Sequence, residues 1–176
     1  MAFALPGNRP AALRLFLAAA LAVGGAGCAY TVHTGIPPHI TSVAIPTFGN
    51  NSVQYTLSQE LTDAVVDRFV RDNHLRVVPL REAQSLIQGT VLEYRNDVFG
   101  YTAERQAQEY RVGMRVQVRF KDLSRNKDIW SDEVVKTSNY TAISTGGLPA
   151  GTEATGRAEA VGKVADEILS RTVSRW

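Results

Sequence analysis

The chain has 176 residues, one cysteine, and 19 basic against 17 acidic side chains, a formal charge of +2. Arg9 and Arg14 are the only charges before residue 28; without them 17 of each sign remain, so the basic balance is no nucleic-acid footprint. The length suits one domain with a core of its own, and a lone cysteine excludes an internal disulfide.

The first 27 residues read as an export signal. Arg9 and Arg14 supply the basic start, residues 15–23 form an unbroken apolar run, and Gly24, Gly25, Ala26 and Gly27 are all small. The run is about half of the ~20 residues that span a bilayer, which argues against a permanent membrane helix. Cys28 follows directly, and the arrangement resembles the bacterial lipobox, in which the cysteine sulfur takes a diacylglycerol before cleavage. Gly25 stands where that pattern usually has Leu. The alternative is an ordinary signal with a stray cysteine beside it. Acyl chains on Cys28 would anchor the protein to a membrane. Ala29, which is not the Asp of inner-membrane retention, implies the outer membrane. The chain then divides into a signal peptide (1–27), a lipid-anchored tether (28–40) and a single domain (41–176).

Residues 41–46 are a short strand candidate, rich in β-formers and stopped by Pro46. Residues 48–52 read as a turn in which Asn51 or Ser52 can cap a helix. Over residues 53–72, Val53, Leu57, Leu61, Ala64, Val65 and Phe69 recur at spacings of three and four, predicting an amphipathic helix that stops at a left-handed Asn73. Residues 75–78 predict a strand, 81–85 one helical turn, and 86–96 a strand with Gly89 as a bulge. Residues 110–121 give the clearest signal. Tyr110, Val112, Met114, Val116, Val118 and Phe120 alternate with Arg111, Gly113, Arg115, Gln117, Arg119 and Lys121, so a long strand buries one face. Residues 124–127 turn it into an antiparallel return over 128–138, with Trp130 and Val134 on the same face. A loop over 138–151, with Gly146, Gly147 and Pro149, leads to a final helix over 152–175, striped by Ala154, Ala158, Val161, Ala165, Ile168 and Leu169. The fold class is therefore α+β, a two-layer sandwich: two amphipathic helices on a mostly antiparallel sheet of four or slightly more strands, with the other sheet face polar.

No catalytic constellation emerges. His33, His39 and His74 stand in no metal-ligand spacing and read as solvated tether and helix-end residues. There is no phosphate-binding glycine loop and no nucleophile elbow, and Asp132 and Glu133 are adjacent on a strand and so face opposite ways. The expectation is a non-enzyme without cofactor or metal. One feature remains: Arg111, Arg115, Arg119 and Lys121 share the polar face of one strand. They form either an anion site for phosphate or carboxylate, or a solvated face whose charges pair with acids on neighbouring strands.

Taken in order, certain residues resemble the LptE family of lipopolysaccharide-assembly lipoproteins. They are Cys28-Ala29-Tyr30, Ile36 to Ile40, Ser42 to Pro46, Phe48-Gly49-Asn50, Leu57, Leu61 to Ala64 leading to Phe69, Leu75 to Val78, Ala83 followed by Ile87-Gln88-Gly89, Tyr101, Glu109 to Val112, Trp130, Tyr140 and the final helix closing on Trp176. The resemblance implies two helices on a four-stranded sheet, an outer-membrane location, lipopolysaccharide as ligand, and a role as plug and assembly partner of the LptD β-barrel. The segment from Val43 to Asn50, with its helix and Leu75 to Val78, also resembles periplasmic adaptors of the curli-secretion and penicillin-binding-protein-activator type. The long hairpin and the ending at Trp176 favour LptE.

Overall fold

The computed structural model describes residues 36–101, 107–142 and 150–173. The expected signal peptide, Cys28, residues 28–35 of the tether, the Gly146–Pro149 part of the loop and Trp176 lie outside the described residues.

The elements are β1 (Ser42–Ala44), β2 (Gly49–Asn50), α1 (Leu57–Asp72), β3 (Arg76–Val77), a 3-10 turn (Leu80–Glu82), β4 (Ser85–Tyr101), β5 (Ala107–Asp122), β6 (Lys127–Thr141) and α2 (Glu153–Val173). They form the expected α+β sandwich. The sheet, however, is mixed and six-stranded, in the order β3-β1-β4-β5-β6 with β2 also paired to β4. β4, β5 and β6 are antiparallel, while β1 is parallel to both β3 and β4, and β2 is parallel to β4. The difference has a topological cause. α1 carries the chain back before β3 begins, and a helix-long crossover permits the parallel pairing that a tight turn forbids.

Asn50 delays the first helix. Its Oδ1 accepts from the Ser52 amide at 2.9 Å, and its Nδ2 donates to the Gln54 carbonyl at 2.7 Å. The local turn consumes the groups that would have begun a helix at Val53, so Val53 is 83% exposed and the stripe starts at Leu57. The stop comes where expected, with Asn73 at φ 58° and its amide bonded to the Phe69 carbonyl. In α2 the buried stripe is Gly156, Ala160, Val161, Val164, Ala165, Ile168 and Thr172; Ala154 and Ala158 face outward. Small residues are poor markers of a face, and the close seat of Tyr140 selects Gly156, whose Cβ would stand 2.7 Å from the Tyr140 ring.

Both helices pack on one side of the sheet. Leu61, Val65 and Phe69 of α1 and Val161, Val164 and Ile168 of α2 meet Ile87, Val91, Met114, Val116, Val118, Phe120 and Val134 in one core. Arg157 of α2 pairs with Glu60 of α1 at 3.0 Å, and Arg68 of α1 with Asp166 of α2 at 2.5 Å. Under them the Tyr94 hydroxyl donates to Glu153 at 2.8 Å; burial, with Glu153 next, pushes its pKa up to about 12, so it remains a donor. Gly89 makes no bulge, because the β4–β5 register runs through it unbroken. Instead the Phe48 ring lies directly on it.

Residues 36–40 pack on the domain, with Ile40 in the core and Ile36 against it. His39 is not simply solvated: its Nε2 lies 2.7 Å from Oδ2 of the buried Asp122. Only the tertiary fold brings these residues together, 83 positions apart.

Candidate functional site

The antiparallel register of β4, β5 and β6 sets the side chains of the helix-free face in rows of three. Asp97, Arg111 and Asn139 form one row; Arg95, Gly113 and Thr137 the next; Glu93, Arg115 and Val135 the third. Farther along stand Thr90, Gln117 and Glu133, then Gln88, Arg119 and Ser131, and Lys121 lies between Leu86 and Asp128. The four cations read from the alternation of β5, Arg111, Arg115, Arg119 and Lys121, thus share this face, as a two-residue period requires.

Their surroundings differ. Arg115 pairs with Glu93, which Arg95 also contacts. The hydrogen bond from Arg115, against a smaller opposing effect of burial and helped by Arg95, holds the Glu93 carboxyl below the usual carboxylate range. Arg119 lies 3.6 Å from Asp128. Arg111 donates to Asn139 Oδ1 at 3.2 Å, and its guanidinium sits 3.7 Å from the centre of the Phe99 ring. Among the described residues neither Arg111 nor Lys121 has a carboxylate partner.

Among the described residues, the five cations that β4, β5 and β6 set on this face (Arg95, Arg111, Arg115, Arg119, Lys121) are matched by five carboxylates of the same three strands, Glu93, Asp97, Glu109, Asp128 and Glu133. Anion binding here therefore depends on local clustering of guanidiniums and not on a surplus of charge. The clustering is greatest around Gly113. A hollow of about 360 Å³ opens there, lined by Glu93, Arg95, Arg111, Arg115, Val135 and Thr137 among others.

Sequence reasoning missed Arg95 and Glu93. Both sit on β4, whose register against β5 shifts between Val91 and Glu93, so neither could be assigned to this face from periodicity. Among the described residues no cluster of His, Cys and carboxylates suits a metal ion, and no helix is long and apolar enough to cross a membrane.

A family model described as LptE, lipopolysaccharide-assembly, matches residues 40–172. No curated protein matches the chain in sequence. Among solved structures, a protein from Xanthomonas campestris is similar over 81% of this chain and 91% of its own, at 12% identity and a TM-score of 0.57. A hypothetical protein from Chlamydia trachomatis is similar over 74% and 94%, at 14% identity and a TM-score of 0.53. At these identities the two share the fold. Rare lipoprotein B from Shewanella oneidensis is matched over 70% of this chain and 90% of its own, at 15% identity and a TM-score of 0.45.

Proposed function

The chain belongs to the LptE lipopolysaccharide-assembly family, and on that footing we propose that it is a non-catalytic outer-membrane lipoprotein that binds lipopolysaccharide and plugs an LptD-type β-barrel, assisting that barrel's assembly. Cys28 carries the acyl chains that hold it to the periplasmic face of the outer membrane. Arg111, Arg115, Arg119 and Lys121 meet the anionic groups of the ligand. The family match over residues 40–172 carries this reading.

Two physical features support it. A barrel lumen is polar, and among the described residues both helices lie on one face of the sheet, leaving a long polar face for such surroundings. Lipopolysaccharide bears phosphates and carboxylates, which the planar fork of Arg takes in paired hydrogen bonds. Arg115 and Arg119 keep donors beyond those turned to Glu93 and Asp128, and Arg111 pairs with no carboxylate among the described residues.

Gentle purification from outer membranes is the test of the partner: a large β-barrel is expected to accompany the protein. Recovery of a cell-wall synthase or a secretion pore in its place overturns the reading. For the ligand, joint charge reversal (Arg111→Glu, Arg115→Glu, Arg119→Glu) is expected to weaken lipopolysaccharide binding at least tenfold with an unchanged circular dichroism spectrum. Undiminished binding removes these residues from the site.

A further inference from the structure

Glycine inside a strand costs about 0.5–1 kcal/mol against a residue with a side chain. Three circumstances account for such a glycine: a bulge or bend, a neighbour that needs the space, or the close approach of another molecule. Gly89 is of the second kind, since a Cβ there would stand 2.0 Å from the Phe48 ring. Gly113, in the middle of β5, fits neither of the first two. It pairs with Arg95 and Thr137 in unbroken register, with regular pairs on both sides. Its φ lies outside the left-handed region, and a Cβ would meet nothing nearer than Thr137 Cγ2 at 4.0 Å.

What surrounds the missing side chain is chemically specific. Arg111 and Arg115 lie two residues to either side, about 7 Å away along the strand. Arg95 stands directly across on β4. None of the three hangs loose: Glu93 bridges Arg95 and Arg115, while Asn139 and the Phe99 ring hold Arg111. Val135, 61% exposed, supplies an apolar wall on β6. Asp97, opposite Arg111, is the other carboxylate of the ring. Three guanidiniums against Glu93 and Asp97 leave one net positive charge, which suits a single phosphomonoester better than a dense polyanion.

We propose that the Gly113 hollow seats one phosphorylated sugar ring. The ring lies flat on the backbone at Gly113 with its apolar edge against Val135, and its phosphate is taken by Arg111 together with Arg95 or Arg115. A bare anion held at the guanidinium tips needs no glycine beneath it; a ring lying against the strand does. Gly113 is thus a positioning residue, and its contribution is the absence of a side chain. This inference rests on the lipopolysaccharide-binding reading above and narrows it to one subsite, adding Arg95, Gly113 and Val135 to the residues read from sequence.

The test is Gly113→Val in the full-length protein in detergent. Valine is favoured in strands and has room here, so the melting temperature should stay the same or rise. The probes are intact lipopolysaccharide, its deacylated bisphosphorylated glucosamine disaccharide, the same disaccharide without phosphates, and inorganic phosphate. The expected result is at least a tenfold loss of affinity for the first two, a smaller loss with Gly113→Ala, and no measurable binding of the last two by either protein. Unchanged affinity in Gly113→Val, with binding still lost on charge reversal of the three arginines, overturns the hollow and leaves the lipopolysaccharide reading standing. Inorganic phosphate competing as well as the bisphosphorylated disaccharide reduces the site to an anion contact and overturns the sugar seat. A wild-type protein that binds no lipopolysaccharide overturns both.

Discussion

One methyl group added at Gly89 should show how the first loop is locked to the sheet. The Cβ of Gly89→Ala would stand 2.0, 2.3 and 3.0 Å from Cε1, Cδ1 and Cζ of Phe48. Carbon atoms pack comfortably at about 3.5–4.0 Å, so the ring must retreat by roughly 1.5 Å. It has little freedom to do so. Phe48 is 1% exposed, its amide donates to Thr62 Oγ1 at 3.0 Å, and its carbonyl accepts from Ser58 Oγ at 2.5 Å. Expelling the ring forfeits about 1.5–3 kcal/mol of burial and strains two hydrogen bonds of about 0.5–1.5 kcal/mol each. The expected destabilisation is about 3–5 kcal/mol, comparable with truncating a buried Phe, or roughly 10–20 °C in melting temperature. Thermal and urea unfolding followed by circular dichroism measure it. Phe48→Ala alone should cost about as much, and the double variant little more, because the clash vanishes with the ring. Their coupling should therefore exceed about 2 kcal/mol. A Gly89→Ala protein within 1 kcal/mol of wild type, or strictly additive costs, would refute the lock.

Two further outcomes are expected. Burial alone would raise the pKa of Asp122, but His39 and the amides of Arg125 and Ser124 together outweigh it and hold the carboxyl below its ordinary 3.8. A depressed carboxylate stabilises the fold above its unfolded pKa, and that contribution is lost as pH falls through the folded value. Asp122→Asn should thus lower stability by about 1–3 kcal/mol at neutral pH, and the deficit should shrink on acidification below about pH 4. Denaturant titrations across that range check it, and a deficit that stays constant from neutral pH to about pH 2 contradicts it. Cys28→Ala is expected to abolish incorporation of labelled palmitate and to release the protein from the membrane fraction; label entering the variant would sink the lipobox reading.

Periodic features were legible in the residues themselves. The eleven alternating steps of β5 established a long strand with one buried face, and Val116, Val118 and Phe120 are fully buried there while Arg115 and Arg119 stand exposed. The return over β6, the left-handed stop at Asn73, and two apolar helix stripes, which imply one covered and one open sheet face, are likewise local properties of the chain. Each follows from a period of two or 3.6 residues, or from the tolerance of one side chain for positive φ. Elsewhere the local code is ambiguous. Val53 carries the right spacing but is held outside the helix by the Asn50 turn, and alanines mark no face of α2 by themselves.

The rest depended on partners distant in sequence. Parallel pairing of β1 with β4, the seat of Phe48 on Gly89 and the contact of His39 with Asp122 join segments about 40 to 80 residues apart, and no period encodes them. The candidate site has the same character. Arg111, Arg115 and Arg119 could be placed on one face from β5 alone. The vacancy at Gly113 acquires a meaning only when Arg95 and Val135 are brought beside it by the register of three strands. A sequence determines which way a side chain points along its own strand. Which side chains share a row is decided by where neighbouring strands lie, and that is settled by turns, bulges and core packing acting together.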